Sequence, residues 1–277
     1  VKDMKSNIFK KAILAASFGL LASGNVTADK LDDVLSKGKV RCGVVLDFPP
    51  MGFRDSNNEA VGMDVDMCAD LAKAMNIEYE IVGLTWAERI PSLISGKVDV
   101  AIASSSDTLE RAQTVGFTIP YMLFQFQALL SEKAEAGSWE DLKDLSVGAA
   151  IGTTYESSFL DYKKENWEGS KGKYSSFQSE NESFLAVSQG QVDAVIVTDT
   201  AAANVLASGK FKGIKSGPVA PFGADIVGMM TLRKQYGWIN YLNLFINRQV
   251  RTGRFQELYG KWIGGTAPDM TVPGTYY

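Results

Sequence analysis

The chain has 277 residues, 45% hydrophobic and 22% charged, with 28 basic against 32 acidic side chains and a formal net charge of −4. That composition excludes a disordered chain and a membrane bundle, and the acidic balance argues against a protein that binds nucleic acid through phosphate contacts. There is no histidine, and only two cysteines are present. Ser-His-Asp and Cys-His triads, HExxH metal sites and four-cysteine zinc sites are therefore excluded, and no metal or cofactor is expected.

Residues 1–28 read as an export signal. Lys5, Lys10 and Lys11 form a basic start, residues 12–22 are a mostly apolar run with Ile13, Leu14, Phe18, Leu20 and Leu21, and Val26-Thr27-Ala28 offers the small residues of a cleavage site after Ala28. The run is too short to stay in a bilayer as a span. Without it the chain keeps 24 basic and 31 acidic residues, a net charge of −7. The expectation is a soluble periplasmic protein that does not cling to anionic membranes. No later segment approaches a spanning length of apolar residues. In an oxidising compartment Cys42 and Cys68 either close a disulfide, worth roughly 3 kcal/mol, or stay as buried free thiols.

The remainder alternates strand and helix signals. Lys39-Val40-Arg41-Cys42-Gly43-Val44-Val45 is β-rich, and Val65, Cys68, Leu71, Ala72 and Met75 recur at helical spacing. Residues 79–82 read as a second strand, Ile90 and Leu93 lie on a second helix, and 98–103 read as a third strand. This βαβαβ order predicts a parallel sheet with helices on its faces. The pattern then recurs. Gly96-Lys97-Val98-Asp99-Val100-Ala101-Ile102 is echoed by Gly190-Gln191-Val192-Asp193-Ala194-Val195-Ile196, and residues 40–44 are loosely echoed by 145–149. Two similar α/β lobes are the simplest reading. Near the end, Trp238, Ile239, Leu242, Phe245 and Ile246 share a helix face, and Phe255, Leu258, Tyr259 and Trp262 continue that character.

Open α/β sheets bind ligands beyond the carboxyl ends of their strands. Ser104, Ser106 and Arg111 follow one such end. Hydroxyls and a guanidinium together suit a carboxylate, because arginine grips it with two parallel bonds. Asp199 follows the corresponding strand of the second lobe and suits an ammonium, so the pair describes a clamp for an α-amino acid. On the residues alone, Arg111 serves equally as a surface ion-pair partner and Asp199 as a helix N-cap. Gly152-Thr153-Thr154 at a strand-to-helix turn is either an anion site or a plain N-cap. Phe48, Met51, Phe53, Trp86 and Tyr155 are either walls of an apolar slot or core.

At these residues the chain resembles the periplasmic polar amino-acid-binding proteins of ABC importers, solute-binding protein family 3. The resemblance covers almost all of the chain after residue 28. It is carried by V-R-C-G-V (40–44), F-P-P-M-G-F (48–53), G-M-D-V-D-M-C (62–68), R-I-P-S-L-I-S-G-K-V-D-V (89–100), T-L-E-R (108–111), F-T-I-P-Y (117–121), I-G-T-T (151–154), G-Q-V-D-A (190–194) with Asp199, and Y-G-K-W (259–262). It implies an α/β two-lobed type II periplasmic binding fold, each lobe a mainly parallel sheet flanked by helices. The chain would cross between lobes near 122–127 and again near 220–225. Lobe 1 is expected over 29–123 and 224–277, and lobe 2 over 124–223.

The resemblance also implies roles. Arg111, Ser104 and Ser106 would bind the α-carboxylate, joined by Thr154 with Tyr155 on closure. Asp199 would take the ammonium, Phe48 and Trp86 would flank the side chain, and Cys42 and Cys68 would be bonded. Basic-amino-acid binders carry an aspartate after the first strand where this chain has Val45, whereas Arg89 stands where acidic-amino-acid binders hold a side-chain carboxylate. An acidic or polar ligand is therefore favoured. The expected partners are that amino acid and the membrane permease of an ABC importer; the protein would be a monomer without nucleic acid and not an enzyme. Two rival readings use the same fold. A cyclohexadienyl-type dehydratase needs a general acid, for which Glu156 and Glu88 are the candidates, and a sensory ligand-binding module is the other.

Overall fold

The computed structural model describes residues 29–272, so the export signal expected over 1–28 lies outside the described residues. The chain enters through α1 (Lys30–Lys37) and β1 (Lys39–Val45). A ribbon of β2 (Asp47–Phe48), β3 (Gly52–Arg54) and β4 (Ala60–Val61) follows, then α2 (Met63–Met75), β5 (Glu78–Leu84), α3 (Arg89–Ile94), β6 (Val100–Ser106), α4 (Leu109–Ala112) and β7 (Val115–Phe124). Next come β8 (Phe126–Ser131), a 3₁₀ turn (Trp139–Asp144), β9 (Val147–Ala150), α5 (Thr154–Asn166), β10 (Tyr174–Phe177), α6 (Glu180–Ser188), β11 (Ala194–Thr198), α7 (Asp199–Ser208) and β12 (Ile214–Val219). The chain closes with β13 (Asp225–Leu232), α8 (Tyr236–Arg251) and α9 (Arg254–Trp262).

Two five-stranded sheets result, ordered β5-β1-β6-β13-β7 and β10-β9-β11-β8-β12. In the first, β1 pairs in parallel with β5 from Lys39↔Glu78 to Val45↔Leu84 and with β6 at Cys42↔Val100. β13 then runs antiparallel to both β6 and β7. The second sheet repeats this arrangement, with β9 parallel to β10 and β11, and β8 antiparallel to β11 and β12. The parallel expectation from the βαβαβ order is thus met on one side of each sheet. One reversed strand per sheet, β13 or β8, is the first that the chain lays down after passing over from the other sheet. Those passages are Gln125, between β7 and β8, and residues 220–224, between β12 and β13.

The strands are apolar because helices cover both faces. All seven residues of β6 are buried, as are Val40, Cys42 and Val44 of β1. Cys42 of β1 is bonded to Cys68 of α2 across a sequence separation of 26, which ties that helix to the sheet. The core of the second lobe is aromatic: Trp139 packs edge-on against Phe222 (centroids 5.2 Å apart) and Phe159 (6.2 Å).

The internal echo has a physical cause. Asp99 precedes β6, and its carboxylate accepts from the Arg41 N–H at 3.0 Å, from Arg41 Nη2 at 2.8 Å and from Lys30 Nζ at 3.4 Å. Asp193 precedes β11 and accepts from the Ser146 N–H at 2.8 Å and its hydroxyl at 2.6 Å. In both lobes the aspartate of G-x-V-D anchors the start of the neighbouring parallel strand, where a backbone N–H would otherwise lack a partner.

Candidate functional site

The carboxyl ends of both sheets converge on a cavity of about 10 Å³, little more than room for one water. Its walls include Phe48, Trp86, Arg89, Ser104, Ser106, Thr154 and Tyr155 from the sequence reading, and also Phe124, Thr153, Thr198 and Asp225. Arg111 lies just outside, on a neighbouring open groove of about 410 Å³ that it shares with Thr154 and Arg89. Asp199 is absent from the lining of both. Met51 is buried in the core and Phe53 packs edge-on against Trp262 at 5.9 Å, so neither walls the cavity. A further concavity, about 830 Å³, is an open groove on the outer side of α2, α8 and α9, where Arg254 already pairs with Asp70 at 2.7 Å.

The floor is built where β6 ends. β6 runs through Ser106, beyond the end expected from its apolar run, so Ser104 and Ser106 sit on the strand itself. Ser104 has a φ of +44°, a left-handed conformation that costs a non-glycine residue of order 1–3 kcal/mol. It is held there by its surroundings. Its N–H donates to the Tyr121 hydroxyl at 3.0 Å, while that hydroxyl at 2.8 Å and the Ser104 hydroxyl at 3.3 Å both donate to the buried Asp64. The twist turns the carbonyls of Ala103 and Ser104 together onto Arg89 Nη1, each at 3.1 Å.

Arg89 is only 3% exposed, and its guanidinium meets five acceptors. Besides those two carbonyls they are the Trp86 carbonyl (3.0 Å), the Ser105 hydroxyl (3.4 Å) and, from the second lobe, the Gly152 carbonyl (2.9 Å). Burial, and then the charge of Arg111, pulls its pKa down. Its guanidinium also lies 4.9 Å from the centre of the Trp86 ring. Phe48 stands edge-on to that ring at 5.1 Å and to Phe124 at 5.7 Å.

Arg111 reaches across in the same way, donating to the Ser106 carbonyl and to the Gly152 carbonyl, each at 3.2 Å. Two guanidiniums of the first lobe thus share one carbonyl of the second. Gly152 permits this with a φ of +81°; a Cβ there would meet the Ala87 backbone at 3.2 Å. Beside it, the Thr154 hydroxyl donates to the Ser106 hydroxyl at 2.6 Å, and Ser106 in turn bonds to Asp225. Thr153 is the N-cap of α5, and the Gly152 N–H is taken by Glu156 at 2.8 Å.

Asp199 is the first residue of α7, whose N-cap is Thr198, so the cap expected of Asp199 falls one residue earlier. The Asp199 carboxylate turns back onto its own helix and accepts from the Thr200 N–H at 2.8 Å. Both general-acid candidates are also engaged: Glu88 accepts from the N–H and hydroxyl of Thr85, and Glu156 from Gly152, Tyr174 and Ser176.

Besides Asp64, two buried acids at or beside the cavity, Asp225 and Glu180, carry no motif in the sequence. Asp225 opens β13 inside the cavity; its only sequence signal was an acid heading an apolar run. Glu180, the first residue of α6, is 0% exposed. Its Oε1 accepts from the Tyr155 hydroxyl at 2.5 Å, and its N–H donates to Asp47 of the first lobe at 2.9 Å. Its Oε2 has no partner among the described residues, and neither does the buried Trp86 indole N–H.

Burial raises Asp64 and Glu180 to about 8 and Asp225 to about 6. Each binds its proton more tightly folded than unfolded, where the values are 3.8 for aspartate and 4.5 for glutamate. Their stabilising contribution is complete below those unfolded values and is lost as the pH rises through 6 to 8. The melting temperature is expected to fall by about 4–8 °C between about pH 5 and pH 8, with a flatter slope in Glu180→Gln. A melting curve that rises over that range would contradict this.

The sequence profile of the bacterial extracellular solute-binding proteins, family 3, matches residues 40–265, a span that takes in both sheets. Over 196 residues the chain is 32% identical to ABC transporter arginine-binding protein 1 of Escherichia coli (strain K12), covering 70% of this chain and 73% of that one. Among solved structures it is similar to a mutant of ArgBP from T. maritima, with a TM-score of 0.77 and 26% identity over 85% of this chain and 100% of that one. It is also similar to the ancestral amino acid-binding protein AncCDT-1, a precursor of cyclohexadienyl dehydratase, with a TM-score of 0.76 and 28% identity over 84% and 99% of the two chains.

Proposed function

Because this chain belongs to the bacterial extracellular solute-binding proteins of family 3, we propose that it captures an L-α-amino acid by closing two lobes and delivers it to the permease of an ABC importer. The observation that carries this reading is the convergence of Ser106 from the first lobe with Thr154 from the second at one cavity, with Arg111 at its margin bonded across to Gly152. A guanidinium and two hydroxyls at strand and helix ends suit a carboxylate, and the unpartnered Trp86 N–H adds a donor. Asp225 within the cavity and Asp199 at the head of α7 are the carboxylates for the ammonium. The moving bodies are 29–123 with 224–277, and 124–223, hinged at the two passages. We place the protein in the periplasm as a monomer, with residues 1–28 as its signal.

The side-chain preference is polar. An acidic ligand was expected from Arg89, but the five acceptors around that guanidinium give the acidic preference no support, and the first relative above is named for arginine. Capture rather than catalysis fits the family. The dehydratase reading draws on one observation, the buried acid Glu180 held protonated near neutral pH beside a cavity residue. Formation of phenylpyruvate or phenylalanine from prephenate or arogenate would establish it.

A thermal-shift screen of the standard amino acids with their deaminated analogues tests the main reading. At a ligand concentration of about 100 Kd the gain is about 2.7 kcal/mol, or roughly 5–10 °C. A shift for at least one amino acid, lost in its deaminated analogue, is expected. A screen in which no amino acid shifts the melting point overturns the reading.

A further inference from the structure

Two acids meet between the lobes with no base to balance them. Asp47 belongs to β2 of the first lobe, and its carboxylate accepts the Glu180 N–H from the head of α6 in the second. Glu180 is wholly buried, and one of its oxygens has no partner among the described residues. Neither acid forms an ion pair with a lysine or arginine among the described residues. Bringing two carboxyls out of water together is unfavourable unless a positive charge or a proton arrives with them.

The pair adjoins the cavity. Tyr155, a wall residue, donates its hydroxyl to Glu180, and Asp47 immediately precedes Phe48, another wall residue. We propose that Glu180 and Asp47 form the far end of the ligand site and hold the cationic tip of a long ligand side chain, a guanidinium or an ammonium. The inference rests on the amino-acid-binding reading and names the ligand class for it. Other groups nearby leave that charge unanswered. Tyr155 is a donor already bonded to Glu180, Glu182 adds negative charge beside Asp47, and the charge of Arg89 faces its own carbonyls. Val45, buried on β1, shows why the sequence pointed elsewhere: the acid sought at that position comes instead from residue 47 and from the opposite lobe.

The consequence is an exchange of positive charge. Burial keeps a proton on Glu180 near neutral pH, and a cation seated there releases it. Calorimetry of the purified protein with arginine and lysine, and with their neutral counterparts citrulline and norleucine, reads this directly. We expect a cationic ligand to bind at least about tenfold tighter than its counterpart, with proton release at pH 7 seen as a buffer-dependent heat for the cation only. Glu180→Gln keeps the acceptor for Tyr155 and is expected to bring the ratio near one; Asp47→Asn gives the same reading from the other lobe. Equal wild-type affinities overturn the inference, as does binding confined to other amino acids, or equal loss of both ligands in Glu180→Gln. In each of those cases amino-acid binding itself stands. Binding of no amino acid at all overturns the functional reading, and this inference with it.

Discussion

Replacing Arg111 with alanine is expected to abolish amino-acid binding. Among the described residues its guanidinium is the one positively charged group at the cavity margin that holds only two acceptors, the carbonyls of Ser106 and Gly152, and it stands near the hydroxyls of Ser106 and Thr154. A ligand carboxylate buried there without its partner forfeits about 2–5 kcal/mol, some 30- to 4,000-fold in Kd. The fold should survive, because of the two carbonyls that Arg111 serves, that of Gly152 keeps its bond from Arg89 and only that of Ser106 loses a side-chain donor. Arg111→Lys should recover part of the affinity, since an ammonium supplies charge without the paired geometry. Titration calorimetry with any ligand found by thermal shift decides the matter; near-normal affinity in Arg111→Ala would remove Arg111 from the carboxylate site.

Arg89→Lys should act differently, on stability first and on all ligands alike. The guanidinium gathers carbonyls of Trp86, Ala103 and Ser104 with that of Gly152 across the cleft, and a lysine ammonium cannot serve all of them from one point. Buried carbonyls left without donors cost about 1–3 kcal/mol each, partly relieved by rearrangement. We expect a loss of about 3 kcal/mol, near 6–12 °C in melting temperature for a chain of this size. Affinity should fall by a similar factor for every amino acid bound. A loss confined to aspartate and glutamate would instead return Arg89 to the role of a side-chain receptor.

Much of this site was legible in the sequence because strand ends are legible. Apolar runs flanked by polar clusters placed Ser104, Ser106 and Arg111 together, the family resemblance added Thr154, and the G-x-V-D echo exposed the repeated lobe through an aspartate with the same structural duty in both. What escaped has a common cause. β8 and β13 reverse direction because the chain arrives from the other lobe, which local periodicity does not record. Glu180 heads a helix like any surface glutamate; it is buried where its N–H meets Asp47, 133 residues away. Arg89 was found at its position, but its partners are backbone carbonyls aimed by the left-handed Ser104, and no side-chain pattern announces them. Asp199 was located at the right strand end, yet its carboxylate folds back onto Thr200.

The shared carbonyl of Gly152 also has a thermodynamic meaning. Under the proposed carboxylate role it occupies one of the donors of Arg111 that an incoming carboxylate would require, so the protein would carry an internal competitor for its ligand. Binding is then a substitution of one acceptor for another, and its net gain is the difference between a charged carboxylate and a neutral carbonyl. Self-latched molecules would be withdrawn from the competent pool, and the Kd observed would then exceed the intrinsic one by the inverse of the unlatched fraction. Tightness of closure and tightness of binding are thus opposed at this bond, and a change that loosens the latch while sparing Arg111 would raise affinity.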